Sequence, residues 1–206
     1  MIRVFVLLAL VGCSSPAQVE VEPKGTVDVS PLEKDWGRDW RRMDLDQLKA
    51  SIERVSGGVE WSSPNGRDSI NMFDELSETL GKPDYITSTY EDLEPSLLFQ
   101  KFLKDAANSV CQGVIDEELR RSPVERQFLT EVDPNDTWQA QPEKVKANLS
   151  RLILKFHGRV VSPDAPEMEE WTWLFRSVLH VTEDDTHKAW NTVCVALMTH
   201  PDFYMY

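Results

Sequence analysis

Pro95-Ser96-Leu97-Leu98-Phe99-Gln100-Lys101-Phe102-Leu103-Lys104-Asp105-Ala106-Ala107-Asn108-Ser109-Val110-Cys111-Gln112-Gly113-Val114-Ile115-Asp116-Glu117-Glu118-Leu119 brings an apolar residue round every three or four positions. Leu98, Phe102, Ala106, Val110 and Ile115 form one stripe, and Phe99, Leu103 and Ala107 widen it. That period is helical, with Pro95-Ser96 at its start and Arg120-Arg121-Ser122-Pro123 at its end. A helix this long must bury its stripe against other helices. Ala106-Ala107 is small enough to admit one closely, and Cys111 lies beside the stripe.

The neighbouring segments read the same way. Downstream, Asp133-Pro134-Asn135-Asp136-Thr137 is a turn with Trp138 behind it. Pro142 opens a helix with Val145, Leu149, Leu152, Ile153 and Phe156 inward, ending at Gly158. Trp171, Leu174, Phe175, Val178 and Leu179 form the face of the next. Thr182 is expected to cap the last helix, with Asp185 as its acidic partner. That helix carries Trp190, Val193, Cys194, Leu197 and Met198, and Pro201 closes it ahead of the tail Phe203, Tyr204 and Tyr206. Upstream, Asp44 caps a helix bearing Leu45, Leu48, Ile52 and Val55, which Gly57-Gly58 ends. Ile70, Phe73, Leu76 and Leu80 predict a further helix from Asp68 to Gly81-Lys82-Pro83, and residues 84–94 a loop. Trp36 and Trp40 suit one helical turn, with Arg38, Arg41 and Arg42 solvated or paired with acids. Strand alternation is almost absent, so the fold class is mainly α, a single compact multi-helix domain. Phe102, Trp171, Trp190 and Leu197 are expected in its core.

Hydrophobic residues at 41% exclude a disordered body. A net charge of −13 repels phosphate backbones, so no nucleic-acid partner is expected. It also opposes electrostatic docking on anionic lipid.

No cofactor or metal is expected. His157, His180, His187 and His200 show no metal-ligand spacing on one helix. Asp133, Asn135 and Asp136 lack the glycine and glutamate of a calcium loop. Cys-x-x-Cys-His, Gly-x-Ser-x-Gly and the glycine-rich phosphate loops do not occur. Asp116-Glu117-Glu118, Glu167 and Glu169-Glu170 read as solvated acids, and Trp171 and Trp173, two apart on a helix, face different ways.

The amino terminus assigns an address. Met1-Ile2-Arg3, the apolar run Val4–Leu10 and Val11-Gly12-Cys13 before Ser14-Ser15-Pro16 have the build of a secretory signal. Leu10-Val11-Gly12-Cys13 resembles the bacterial lipobox. The resemblance implies cleavage before Cys13, diacylation of its thiol and attachment to a membrane by lipid. Ser14 is not the aspartate that retains such proteins at the inner membrane, so the outer membrane is favoured. Residues 1–12 are then a lipoprotein signal peptide, 13–31 a lipidated extended tether and 32–206 the α-helical domain. In an exported chain Cys111 and Cys194 are expected to form a disulfide joining the long helix to the last one, the alternative being two buried free thiols.

Three further stretches, taken in order, resemble one family. They are Asp46-Gln47-Leu48 through Val55-Ser56-Gly57; Leu80-Gly81-Lys82-Pro83 with Glu94-Pro95-Ser96-Leu97; and Ala189-Trp190 through Ala196-Leu197-Met198-Thr199-His200-Pro201-Asp202-Phe203. The family is the C-terminal domain of unknown function in large secreted planctomycete-type proteins that often carry cytochrome c-like modules. It implies a helical, exported body beside surface redox or polymer-degrading machinery, and it carries over no catalytic residue. This chain departs from it by having no haem-attachment motif and its own lipobox.

The expected function is a lipid-anchored helical lipoprotein at the cell envelope, a non-catalytic binding or assembly subunit with the membrane and an envelope protein as partners. The alternative is an accessory enzyme or electron-transfer partner acting on an extracytoplasmic polymer, which requires a concave site with a perturbed acid or histidine, expected near His180 to His187.

Overall fold

The computed structural model describes residues 41–65, 68–80 and 90–206. Cys13, the signal peptide, the tether, Trp36, Trp40 and Gly81-Lys82-Pro83 lie outside the described residues. Residues 40–206 cluster as one unit. In chain order its elements are α1 (Leu45–Ser56), β1 (Ser62–Asn65), β2 (Asp68–Asn71), α2 (Met72–Ser77), α3 (Leu97–Arg120), α4 (Pro142–His157), α5 (Met168–Val181), α6 (Thr186–Thr199) and α7 (Pro201–Tyr204).

α3 is the axis, and α6 packs along it more extensively than any other helix. Ser96 starts α3 by accepting from Phe99 N at 3.1 Å. Phe99, Leu103, Ala106, Ala107, Val110 and Cys111 are buried, whereas Leu98 at the top of the expected stripe is 54% exposed. The Cys111 and Cys194 sulfurs lie at bonding distance, joining α3 to α6. α5 and α4 complete the helical layers around α6. α1 and α2 cover the other side of α3, where Trp61 and Phe73 both meet Phe102 edge-on, at 5.2 and 4.9 Å between centroids.

Caps at Asp44, Gly57, Ser96 and Gly158 stand where the sequence puts them. One expected element differs. Ile70 lies in the antiparallel hairpin β1–β2, whose register pairs Ser63 with Ile70, and the helix starts only at Met72. Asn71 causes this: its Oδ1 accepts from Phe73 N and Asp74 N at 3.0 and 3.3 Å, a cap that opens α2 there.

Two charged side chains are interior: Arg42, expected to be solvated or paired with an acid, and Glu118, expected on a solvated face. Arg42, 2% exposed, lies over the Phe99 ring, pairs with Glu91 at 2.6 Å and donates to Met43 O and Asp92 O. Its backbone forms an isolated bridge with Met205, so it ties the start of the domain to its end. The aromatic tail folds back as expected, with Phe203 and Tyr204 buried and the Tyr204 hydroxyl accepting from Gln100 Nε2 at 2.7 Å. Glu118, 1% exposed at the far end of α3, accepts from Gln127 N, Phe128 N and Leu129 N.

The α5–α6 corner also shifts. Thr182 closes α5, with its hydroxyl donating to Val178 O at 2.8 Å, and Asp185 is the residue that caps α6, accepting from Lys188 N at 3.0 Å. Between them Glu183 and Asp184 are left-handed, at φ 56° and 64°. That conformation costs a residue with a Cβ roughly 1–2 kcal/mol. Glu183→Gly is therefore expected to stabilise the protein by about 0.5–1 kcal/mol after the extra unfolded-state entropy of glycine. A urea midpoint that stays put or falls would show that the turn is unstrained.

Candidate functional site

Two surface features gather chemically able side chains. The larger is a groove along α5. Trp173, on the outward face of α5, is 68% exposed. Trp138, held behind the Asp133–Thr137 turn, comes up beside it, and the Arg176 guanidinium lies 5.4 Å from the centre of its ring. The turn is firm because Asp136 Oδ2 accepts from Asp133 N at 2.9 Å and Asp136 N donates to Asp133 O at 2.9 Å.

Trp138, Trp173 and Arg176 line two adjoining hollows, of about 970 and 810 Å³. Asp164, Glu169 and Glu170 edge the first, and Glu183 and Asp184 the second. Glu169, Glu170, Glu183, Asp184 and Arg176 make no ion pair or side-chain hydrogen bond among the described residues. The groove thus has two indoles and Arg176 at its middle and carboxylates at both ends, and on the first hollow Lys146 pairs with Glu143 and Asp164.

The second feature is a cleft of about 270 Å³ where α4 ends and α7 begins. His157, the last residue of α4, and His200, the cap of α7, stack with ring centroids 4.8 Å apart and planes 29° from parallel. Trp171 lies 5.8 Å from His157 and 6.1 Å from His200. His157 shares a 3.0 Å hydrogen bond with Leu197 O, and since a carbonyl only accepts, Nε2 is the protonated nitrogen. His200 Nδ1 accepts from Asp202 N at 3.1 Å. Asp202 accepts from Arg159 at 2.9 Å, and Arg159 also pairs with Glu167.

The ligand atoms of His157, His200 and Asp202 all lie within 4.8 Å of one another. Zinc needs donors about 2.0–2.2 Å from a common centre. Imidazole lone pairs lie in the ring plane, and two nearly parallel stacked planes do not aim them at one point. Arg159 already occupies Asp202 Oδ2, and the Asp202 N–H already occupies His200 Nδ1. The arrangement fits a structural clasp at the mouth of α7 better than a metal centre.

Burial holds the His157 pKa below the ordinary histidine value, and neighbouring His200 pushes it the same way; Leu197 O and Asp202 oppose this in part. Protonation is then harder in the folded than in the unfolded chain. Stability is fully present above the usual histidine pKa and is lost as pH falls below it towards the folded value. We expect the unfolding midpoint of wild type to drop more steeply over that interval than that of His157→Gln. Parallel curves would show that His157 titrates alike in both states.

No family model, curated protein or solved structure matches this chain.

The residues singled out in the sequence fall as follows. Cys111 and Cys194 are brought together in the core, both fully buried. Cys13 is outside the described residues. His180 is exposed and lines the second hollow of the groove. His187 does not line that hollow; it is half-buried, and its Nε2 has no hydrogen-bond partner. Trp171 and Trp173 do face different ways: Trp171 closes the histidine cleft and is only half-buried, while Trp173 stands on the groove. Neither pairing that builds these sites has a sequence signal. Trp138 reaches Trp173 from another segment, and His157 and His200 come from two helix ends far apart in the chain.

Proposed function

We propose that the protein is exported, acylated on Cys13 and held at the cell envelope, the outer membrane being favoured, where the helical body acts as a non-catalytic binding subunit. The Cys111–Cys194 pair carries this reading. Buried sulfurs at bonding distance between residues 83 positions apart make a bond that persists in oxidising compartments and is rare in the cytosol. The lipobox resemblance supplies the address, and the groove of Trp138, Trp173 and Arg176 supplies a face on which an envelope component can be held. Radiolabelled palmitate is expected to enter the wild-type protein and not Cys13→Ala. Equal labelling of the two refutes acylation at Cys13.

A second reading, an accessory enzyme working on an extracytoplasmic polymer, is supported by one arrangement: His157 lines a cleft with His200 and Trp171, where burial holds its pKa below the ordinary histidine value. Its Nε2–H is fixed on Leu197 O, which leaves Nδ1 as the acceptor a general base needs. Release of soluble fragments from purified envelope by wild type, lost in His157→Gln, is the expected sign. Release by both proteins, or by neither, removes this reading.

A further inference from the structure

We propose that the groove along α5 binds a neutral glycan chain of β-linked, flat pyranose rings, stacked on Trp173 and hydrogen-bonded by Arg176 and the carboxylates at either end. This names the ligand of the binding-subunit reading and rests on it; acylation of Cys13 is a separate matter with its own test.

The aromatic partner is the first reason. Trp173 presents most of its indole to solvent on the outer side of a helix whose inner side is occupied by Phe175 and Leu179. The axial C–H faces of an equatorially substituted sugar ring are apolar and flat, and an indole matches them in area and in the sign of its quadrupole. Trp138 adds a second indole, with the Arg176 guanidinium 5.4 Å from the centre of its ring, so the cation stands beside an aromatic face in the groove. A guanidinium offers donors in a planar fork, and a carboxylate offers acceptors in a plane. Those geometries suit neighbouring equatorial hydroxyls.

The second reason is the order of charges. On the first hollow Lys146 is paired with Asp164, which leaves Glu169 and Glu170 as its unpaired charges; Arg176 stands in the middle, and Glu183 and Asp184 edge the second. A polyanion lying in the groove meets unpaired carboxylates at both ends. A polycation lying there meets a fixed cation at its centre. A chain without net charge has neither penalty and gives every one of these groups a hydroxyl partner. The third reason is extent: the two hollows share Trp138, Trp173 and Arg176, so an occupant filling both passes over all three. Single small ligands leave one hollow empty, whereas an oligosaccharide of several rings fills both.

The test is titration calorimetry and tryptophan fluorescence on the full-length protein in detergent, with cellohexaose, chitohexaose and hexalysine as probes. At least one hexasaccharide is expected to bind, with an affinity unchanged between 0.05 and ~0.5 M salt because the ligand has no charge to screen. Trp173→Ala is expected to weaken it tenfold or more. That side chain is exposed, so the variant should unfold at the wild-type urea midpoint; a lowered midpoint is met by repeating the titration with Arg176→Gln, which is also expected to lose at least tenfold. Hexalysine binding that fades with salt, with no hexasaccharide binding, overturns the proposal in favour of a basic peptide. Binding of a hexasaccharide that both variants leave unchanged overturns the groove as its site. No binding of any probe overturns the glycan proposal, and palmitate labelling of Cys13 then tells whether the anchored-subunit reading fails with it.

Discussion

Replacing Cys111 and Cys194 together by alanine is expected to remove about 4.5 kcal/mol of stability, the chain-entropy value for a closed loop of this size. The two residues are 83 positions apart, so the cross-link removes a large loop's worth of freedom from the unfolded chain. Both are fully buried on the interface between α3 and α6, and alanine is smaller than cysteine, so a minor packing loss adds to the entropic one. The native helices should survive, because the rest of that interface is built from Ala107, Val110, Trp190, Val193 and Leu197, all buried. Circular dichroism at low temperature should therefore be unchanged while the urea midpoint falls. In a chain of this length the thermal midpoint should drop by roughly 10 °C. An oxidised wild type that unfolds at the same midpoint with and without reductant would show that the two sulfurs are not joined.

Glu118→Ala is expected to cost about 3–5 kcal/mol, of the same order as the disulfide but by a different route. The segment from Gln127 to Glu131 has no helix or strand in which to satisfy its backbone. Its five consecutive N–H groups are taken by two buried side chains. Glu118 accepts from Gln127, Phe128 and Leu129 at 2.9, 2.9 and 2.8 Å, and Asn148 Oδ1 on α4 accepts from Thr130 and Glu131 at 3.1 and 3.2 Å. Phe128 and Leu129 are 1% exposed, so water cannot readily replace the carboxylate. Alanine strands three donors and leaves Arg121, which also pairs with Glu118, with Glu117 alone. Glu118→Gln keeps the volume and one acceptor oxygen and should cost about 1–2 kcal/mol. Urea unfolding of the three proteins gives the comparison. A Glu118→Ala loss below that of Glu118→Gln would show that the segment finds its partners elsewhere.

These two sites differ in how far they could be read beforehand. The pairing of Cys111 with Cys194 is one of two expectations, a bridge or two buried free thiols, on the reading that the chain is exported with Cys13 acylated. Glu118 belongs to the run Asp116-Glu117-Glu118, which reads as a solvated face in so acidic a chain. Only Glu118 of the three is buried. It falls on the stripe of Val114 and Cys111, and that periodic position was the one available hint. Arg42 differs: of its two expected states, solvated or paired with an acid, the fold takes the second and makes it an interior clasp, because Glu91 and the carbonyl of Asp92 reach it from a loop about fifty residues on.

The sequence by itself determined the helical class, most helix ends and most of the core. Hydrophobic period, proline and glycine positions and capping side chains act over three or four residues, so they are legible in a single chain. Asn71 and Asp185 moved two helix starts by a few residues, since several capping residues stood close together and packing chose among them. Tertiary structure alone decided the sites. Trp138 and Trp173 come to line one groove, and His157 meets His200, only because segments far apart in the chain fold onto one another. Contact between distant segments depends on how whole helices pack, and no local pattern of side chains encodes which exposed residues will end up side by side.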